Sequence, residues 1–575
     1  MKNPFKLLSE RPLRLPRMKP YVPQPDDPSI YWFNSERAEI IEETGRRVAE
    51  QHSTTREHLE IVLNDAAIHE SARLEKQRDF EAEQSLGFWR GLSRRIARMS
   101  DSEKRDAAAR IATRFAKDVA GNFDPRVYGM SRHVVPRLLT GVMRPSELPA
   151  AMRAGGTDAP ASSSLDRLIR VEGNVDRLRR LQKDGTLVYV PTHSSNLDSI
   201  VLGRAMELSN LSPVVYGAGK NLFTNPIISF FMHNLGAYRV DRRIRARIYK
   251  DVLKMYSQVM IERGYHSLFF PGGTRSRSNH IEQKLKLGLA GSAVNAFAHN
   301  QVRGVARRVY FVPTTINYEL VLEAETLSED WLKERGSARY IIEDDEFSRI
   351  DRWVSFFRKV TTQDSACVVR FGDPIDPFGN PVADDGRSLG PSGEAFNPRS
   401  YVERRGIATL DSARDAAYTT DLGEVLVEQY PKNTVIMATA LVAHVLYRRL
   451  VRQTLNMDLF SRLRLRGEVS VARDELIRDV GETRDRLRKL EQDGQVFLSH
   501  NIRHADPDSI LRRALDVWNG YHNRTAAKDL GVEVTVEDPA LLLYYQNRLV
   551  NFAESIAGPS DIEAAREIGS TGVGQ

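Results

Sequence analysis

Cysteine is nearly absent. The 575 residues contain one, Cys367, which excludes an internal disulfide framework and any cysteine-rich zinc or iron–sulfur site. Long apolar runs are missing too. The longest, residues 435–447, is interrupted by Thr439 and His444 and closed by Arg448 and Arg449. A bilayer span needs about 20 apolar residues, so a buried helix is expected there. The basic N-terminus, M-K-N-P-F-K-L-L-S-E-R-P-L-R-L-P-R-M-K-P, lacks the apolar stretch of a secretory signal. It reads as a solvated tail or as an arm lying on an anionic surface. Neither charge sign dominates: 83 Lys plus Arg stand against 76 Asp plus Glu, leaving +7. That excess favours anionic partners without choosing among nucleic acid, phospholipid headgroups and phosphorylated metabolites. With 41% hydrophobic and 28% charged residues, bulk disorder is excluded. No fixed-period repeat is present.

What is there falls into three stretches. Residues 29–143 are charged and carry helical spacing, as in Ala38, Ile41 and Val48, then Leu59, Val62 and Leu63. Within them, residues 68–84 are polar enough for a solvated helix face. The run R-A-G-G-T-D-A-P-A-S-S-S at 153–164 marks a boundary. Short apolar runs then appear at 186–191, 267–270, 308–312 and 366–371, each expected to be a buried strand. Ile244, Ile248, Val252, Tyr256 and Met260 recur every four residues, with Gly264 as a cap. Strands alternating with helices indicate an α/β domain. After a turn-rich stretch at 374–398 the pattern is helical again, including an amphipathic charged helix at 474–494. The expected lines are 1–152 mainly helical, 165–380 α/β, and 406–560 mainly helical.

Three strand ends carry unusual residues. His193 follows the first strand in P-T-H-S-S-N-L-D, and Asp198 begins a helix five residues on. A base histidine needs its other ring nitrogen fixed by a partner, and a carboxylate also stabilises the imidazolium. The alternative is a helix-capping Asp beside a surface His. The second feature, F-F-P-G-G-T-R-S-R-S, runs a strand into Gly272 and Gly273 and then Arg275 and Arg277. Glycines let backbone N–H groups approach an anion, and arginine grips phosphate bidentately; a solvated turn is the plainer reading. The third, L-G-A-Y-R-V-D-R-R, places Arg239, Arg242 and Arg243 after a glycine turn. Before it lies the apolar segment 222–233, either core or a surface for acyl chains. Gly217-Ala218-Gly219-Lys220 lacks the spacing and hydroxyl of a P-loop, and His69-Glu70 lacks the second His of a zinc protease. No nucleic-acid-binding signature is present.

Taken in order, H-S-S-N-L-D, G-A-Y-R-V-D-R, F-P-G-G-T-R-S-R and V-Y-F-V-P-T-T-I resemble the four blocks of the glycerophospholipid acyltransferase superfamily, over about residues 188–316. The long flanks and the R-S-R tail are similar to the large glycerol-3-phosphate O-acyltransferase branch. The resemblance implies a central α/β domain with a mixed sheet between helical regions. It implies transfer of an acyl group from an acyl-CoA or acyl-carrier-protein thioester to the 1-hydroxyl of glycerol 3-phosphate, without metal or organic cofactor. His193 would be the base and Asp198 its orienter. Arg242, Gly272, Gly273, Thr274, Arg275 and Arg277, with Lys286 in K-L-K-L-G, would hold the phosphate. The family's third block usually has Glu where this chain has Gly272, which puts acceptor choice or activity in doubt. Other readings are a dihydroxyacetone-phosphate or lysophospholipid acyltransferase, or a non-catalytic lipid-binding protein on the same fold. A long-chain product implies work at an anionic membrane surface, peripherally on the cytoplasmic face, with no nucleic-acid partner.

Overall fold

Helical spacing in the first stretch becomes four packed helices: α1 (Phe33–His52), α2 (Arg56–Leu74), α3 (Phe80–Arg95) and α4 (Asp101–Val119). The computed structural model describes residues 21–53, 55–77, 80–132, 168–220, 226–335, 366–519 and 521–558. Thr55 caps α2 by accepting from the His58 N–H, and a capping box of Ser100 and Glu103 starts α4. The stretch at 68–84, polar enough for a solvated helix face, is divided between α2 and α3, and most of its described residues are exposed or half-buried. Within it Leu74 is buried, and Glu70, also buried, pairs with Arg73 at 2.6 Å. The N-terminal arm, the 153–164 boundary and the last fifteen residues lie outside the described residues.

The central stretch builds a seven-stranded sheet from β1 (Ile169–Glu172), β2 (Gly185–Pro191), β3 (Val215–Gly219), β4 (Ala237–Val240), β5 (Ser267–Leu268), β6 (Arg308–Tyr318) and β7 (Cys367–Phe371). Their order is β1-β7-β6-β2-β5-β3-β4. Pairing is parallel throughout except between β6 and β7. The sheet is therefore mixed. The carboxyl ends of β2, β4, β5 and β6 lie along one edge, where sites gather in open α/β sheets.

One sequence expectation changes here, and a dismissed motif finds its place. The run at 308–312 does not end at Pro313. Proline cannot donate to a ladder, but its carbonyl accepts from the Gly372 N–H at 2.7 Å. From Thr314 to Tyr318 the strand takes β7 as its antiparallel partner. The Gly217–Gly219 run is strand β3. A Cβ at Gly217 would lie 3.0 Å from the Tyr238 ring of β4, so close ring packing accounts for that glycine.

Helix α5 (Val175–Asp184) precedes β2, and α6 (Asp198–Leu208) follows it. Helix α7 (Pro226–Asn234) leads into β4, α8 (Arg247–Glu262) precedes β5, α9 (Gly288–Val302) precedes β6, and α10 (Ala324–Arg335) follows it. The four-residue spacing puts Ile248, Val252, Tyr256 and Met260 of α8, with Val259 beside them, in one core with Ile40, Ile41 and Val48 of α1 and Ile111 and Phe115 of α4. A second core joins β2, β6, β7 and α9 to the C-terminal helices. These include α11 (Ser412–Asn433), α12 (Ala438–Gln453), α13 (Arg473–Gln492), α14 (Pro507–Trp518) and α15 (Pro539–Gln546). Most of the apolar run at 435–447 lies in α12 and is buried. Among the described residues no helix is long and apolar enough to cross a membrane.

Candidate active site

Strand β2 stops at Pro191, and a six-residue turn carries the chain to α6. Asp198 is the first residue of that helix and is wholly buried. Its Oδ2 accepts from His193 Nδ1 at 2.8 Å and from the Ser194 and Ser195 N–H groups at 2.7 and 3.0 Å. Its Oδ1 accepts from the Tyr318 hydroxyl at 2.6 Å. A carboxylate held by four donors has a fixed aim, and charge assistance strengthens each bond. The imidazole remains partly open, with 17% of the side chain exposed. Nε2, opposite the Asp198 bond, makes no hydrogen bond among the described residues. The Phe270 ring stacks on it, with centroids 4.1 Å apart.

The glycine-arginine loop that follows β5 lies against this histidine. The Ser276 N–H donates to the His193 carbonyl at 2.7 Å, between the two arginines of the loop. Gly273 has φ +75°, a conformation glycine adopts freely, and its N–H donates to the Phe270 carbonyl at 3.0 Å. Two cations converge on it. Arg242, arriving from the end of β4, donates to the Gly273 carbonyl. The Lys286 chain lies so close that an added Cβ at Gly273 would meet its Cδ at 2.5 Å. Neighbouring Arg243 is instead taken by Asp241, at 2.8 Å. That contact helps hold the Asp241 carboxyl down at about 2, against the opposing effect of burial.

Arg275 Nη1 is 3.4 Å from Oε1 of buried Glu323, and Arg277 Nη1 is 3.1 Å from Glu334 Oε1. Thr274 is exposed. The expected residues His193, Asp198, Arg242, Gly272, Gly273, Thr274, Arg275, Arg277 and Lys286 thus lie on three chain segments joined by the His193–Asp198, Ser276–His193 and Arg242–Gly273 bonds. Two of the arginines already face carboxylates.

Three residues of the site carry no local sequence mark. Tyr318 ends β6. Burial and the Asp198 carboxylate push its hydroxyl well above the ordinary tyrosine range, so it remains a donor. The residues beyond Pro313 can be read as a continuing strand, but nothing in them marks the contact with Asp198. Glu323 accepts from Ser195 Oγ at 2.7 Å and from the Asn196 N–H at 3.0 Å, bracing the turn between His193 and Asp198. Glu282 Oε1 accepts from the His193 N–H at 2.7 Å. Among the described residues there is no group of His, Cys, Asp and Glu arranged to hold a metal.

Residues 172–317 match the family model described as Acyltransferase. That span encloses all nine expected positions. The chain is 32% identical over 168 residues to the glycerol-3-phosphate acyltransferase of Histophilus somni (strain 129Pt), covering 29% of this chain and 20% of that protein. It is 30% identical over 204 residues to the glycerol-3-phosphate acyltransferase of Pasteurella multocida (strain Pm70), covering 35% and 23%. The protein of the same name from Haemophilus influenzae (strain PittEE) matches with the same identity and coverage, 30% over 204 residues, 35% and 23%. The aligned part is thus under a quarter of these curated relatives' length.

Proposed function

We propose that this protein transfers a fatty acyl group from an acyl-CoA or acyl-carrier-protein thioester to the 1-hydroxyl of glycerol 3-phosphate, giving lysophosphatidic acid. One observation carries the reading: the Ser276 N–H bond to the His193 carbonyl joins the His193–Asp198 pair to the cationic loop. His193 Nε2 takes the hydroxyl proton as that oxygen attacks the thioester carbonyl carbon. The C–S bond breaks, and the departing thiolate recovers the proton from the imidazolium. Asp198 fixes the ring and stabilises its charged form. Base catalysis of this kind contributes about 10²–10⁴-fold.

The acceptor's phosphate sits where Arg242 and Lys286 meet at Gly273, with Arg275 and Arg277 beside it. Arg275 has donors beyond the one facing Glu323, since a guanidinium offers five N–H groups. Arg277 exchanges Glu334 for phosphate at little cost, because both partners of that pair are substantially exposed. The acyl chain explains a membrane surface as the working place. Each methylene taken from water is worth about 0.8 kcal/mol. Half-buried Phe230, Phe231 and Met232 of α7, which precede the basic turn at Arg242 and Arg243 in the chain, are the proposed contact with anionic lipid on the cytoplasmic face.

Purified protein supplied with labelled acyl-CoA or acyl-carrier protein and glycerol 3-phosphate should form lysophosphatidic acid. His193→Ala should lose about 10²–10⁴-fold in turnover while keeping its fold. Product formed instead from dihydroxyacetone phosphate or a lysophospholipid would reassign the acceptor. No turnover with any acceptor would leave a lipid-binding protein.

A further inference from the structure

Gly272 is a departure in the third block, and its backbone does not explain it. Unlike Gly273, it is not in the left-handed region. Space explains it. A Cβ built on Gly272 would lie 3.4 Å from Glu282 Cγ and 3.8 Å from Glu282 Oε1. A longer side chain at 272 would therefore compete with Glu282 for the same volume.

The Glu282 carboxylate is well placed to use that volume. Oε1 accepts from the His193 N–H at 2.7 Å, while the His193 carbonyl accepts from the Ser276 N–H at 2.7 Å. Both sides of the His193 backbone are thus tied to the same 271–282 loop that carries the arginines. Oε2 is enclosed and has no hydrogen-bond partner among the described residues. Burial raises the carboxyl's affinity for its proton, opposed by the charge of Arg548, itself buried. Placing a carboxylate there is costly, and the His193 N–H is the group it serves.

We propose that Glu282 is a positioning residue for His193, supplying from downstream in the loop the carboxylate that position 272 lacks, so that Gly272 and Glu282 form one compensated pair. The proposal rests on the catalytic reading of His193 given above. A displaced imidazole loses rate more than affinity, because a shift of about 1 Å can cost about a hundredfold.

Four variants of the full chain test it, assayed for turnover and for KM toward glycerol 3-phosphate, with circular dichroism and thermal unfolding as fold controls. Glu282→Asp keeps the charge but falls short of the His193 N–H, and should lower kcat about tenfold or more with KM changed less than about threefold. Glu282→Gln keeps an acceptor at the right reach and should stay within about threefold of the parent. Gly272→Glu should lose about tenfold or more by crowding Glu282. Gly272→Glu combined with Glu282→Ala should recover much of that loss, because the carboxylate returns to the loop by the other route. The proposal is overturned if Glu282→Asp leaves kcat unchanged, if Glu282→Gln is as impaired as Glu282→Asp, or if the double variant is no better than Gly272→Glu. His193→Ala separates the two ideas. Full turnover in that variant removes the catalytic reading and this proposal with it, whereas loss there with normal Glu282→Asp kinetics removes this proposal alone.

Discussion

Tyr318 reaches Asp198 across 120 residues of sequence, its hydroxyl donating to Oδ1 at 2.6 Å while the other oxygen holds His193. The bond exists because β6 continues beyond Pro313 and brings its last residue to the edge where α6 begins. Tyr318→Phe keeps the ring and removes the donor. A hydrogen bond to a charged group is worth about 1.5–3 kcal/mol, so kcat should fall about tenfold or somewhat more, with the fold retained. Steady-state kinetics beside a thermal unfolding curve would check both parts. An unchanged kcat would mean that Asp198 needs only its backbone donors and His193.

Arg242 and Arg275 should separate acceptor from donor. Arg242→Ala removes a guanidinium from the proposed phosphate position. It should raise KM for glycerol 3-phosphate about tenfold while leaving KM for the thioester near its starting value. Arg275→Lys should also weaken the acceptor, because lysine cannot reproduce a planar fork between Glu323 and a phosphate. Equal changes in both KM values would argue that the loop serves the donor.

His266 gives the sheet beneath the site an acid sensitivity. Its Nδ1 accepts from the Leu187 N–H at 3.0 Å, and burial pulls its pKa down from 6.5 to about 4. Between those values the unfolded chain binds the extra proton and the folded chain does not. Stability is therefore complete above about pH 6.5 and falls as the pH drops toward 4, by about 3 kcal/mol in all. His266→Asn retains an acceptor for Leu187 and cannot titrate. Its melting temperature should drop less than the parent's between pH 7 and pH 5.

The proposed lipid contact predicts flotation with vesicles containing anionic phospholipid at low salt and release at high salt, since the attraction is screened. Phe230→Asp combined with Phe231→Asp should abolish flotation. Protein that stays at the bottom of the gradient with anionic vesicles at low salt would count against the surface.

How much of this was legible without coordinates depended on range. β2, β6 and β7 announce themselves as bursts of β-branched and aromatic residues beside Pro or Gly. V-Y-G-A-G and A-Y-R-V do not, because β3 and β4 owe their conformation to pairing with each other and with β5. His193 and Asp198 share one turn, so their spacing exposes the pair. Tyr318, Glu282 and Glu323 meet that turn from 120, 89 and 128 residues away. No local pattern encodes such encounters. The arginines were identifiable as cations, but their engagement with Glu323 and Glu334 belongs to tertiary structure. In the polar stretch at 68–84, Glu70 is buried all the same, because Arg73 neutralises it.

Helix α8 lies inside the matched span, yet its apolar stripe is covered by α1 and α4. The matched segment is therefore not a transferable cassette. Excised at 172–317, it would present Ile248, Val252, Tyr256 and Val259 to solvent as an adhesive strip, and such fragments should be recovered as aggregates. Grafting this chemistry onto another scaffold would require carrying the leading helices along, as a lining sewn to the garment.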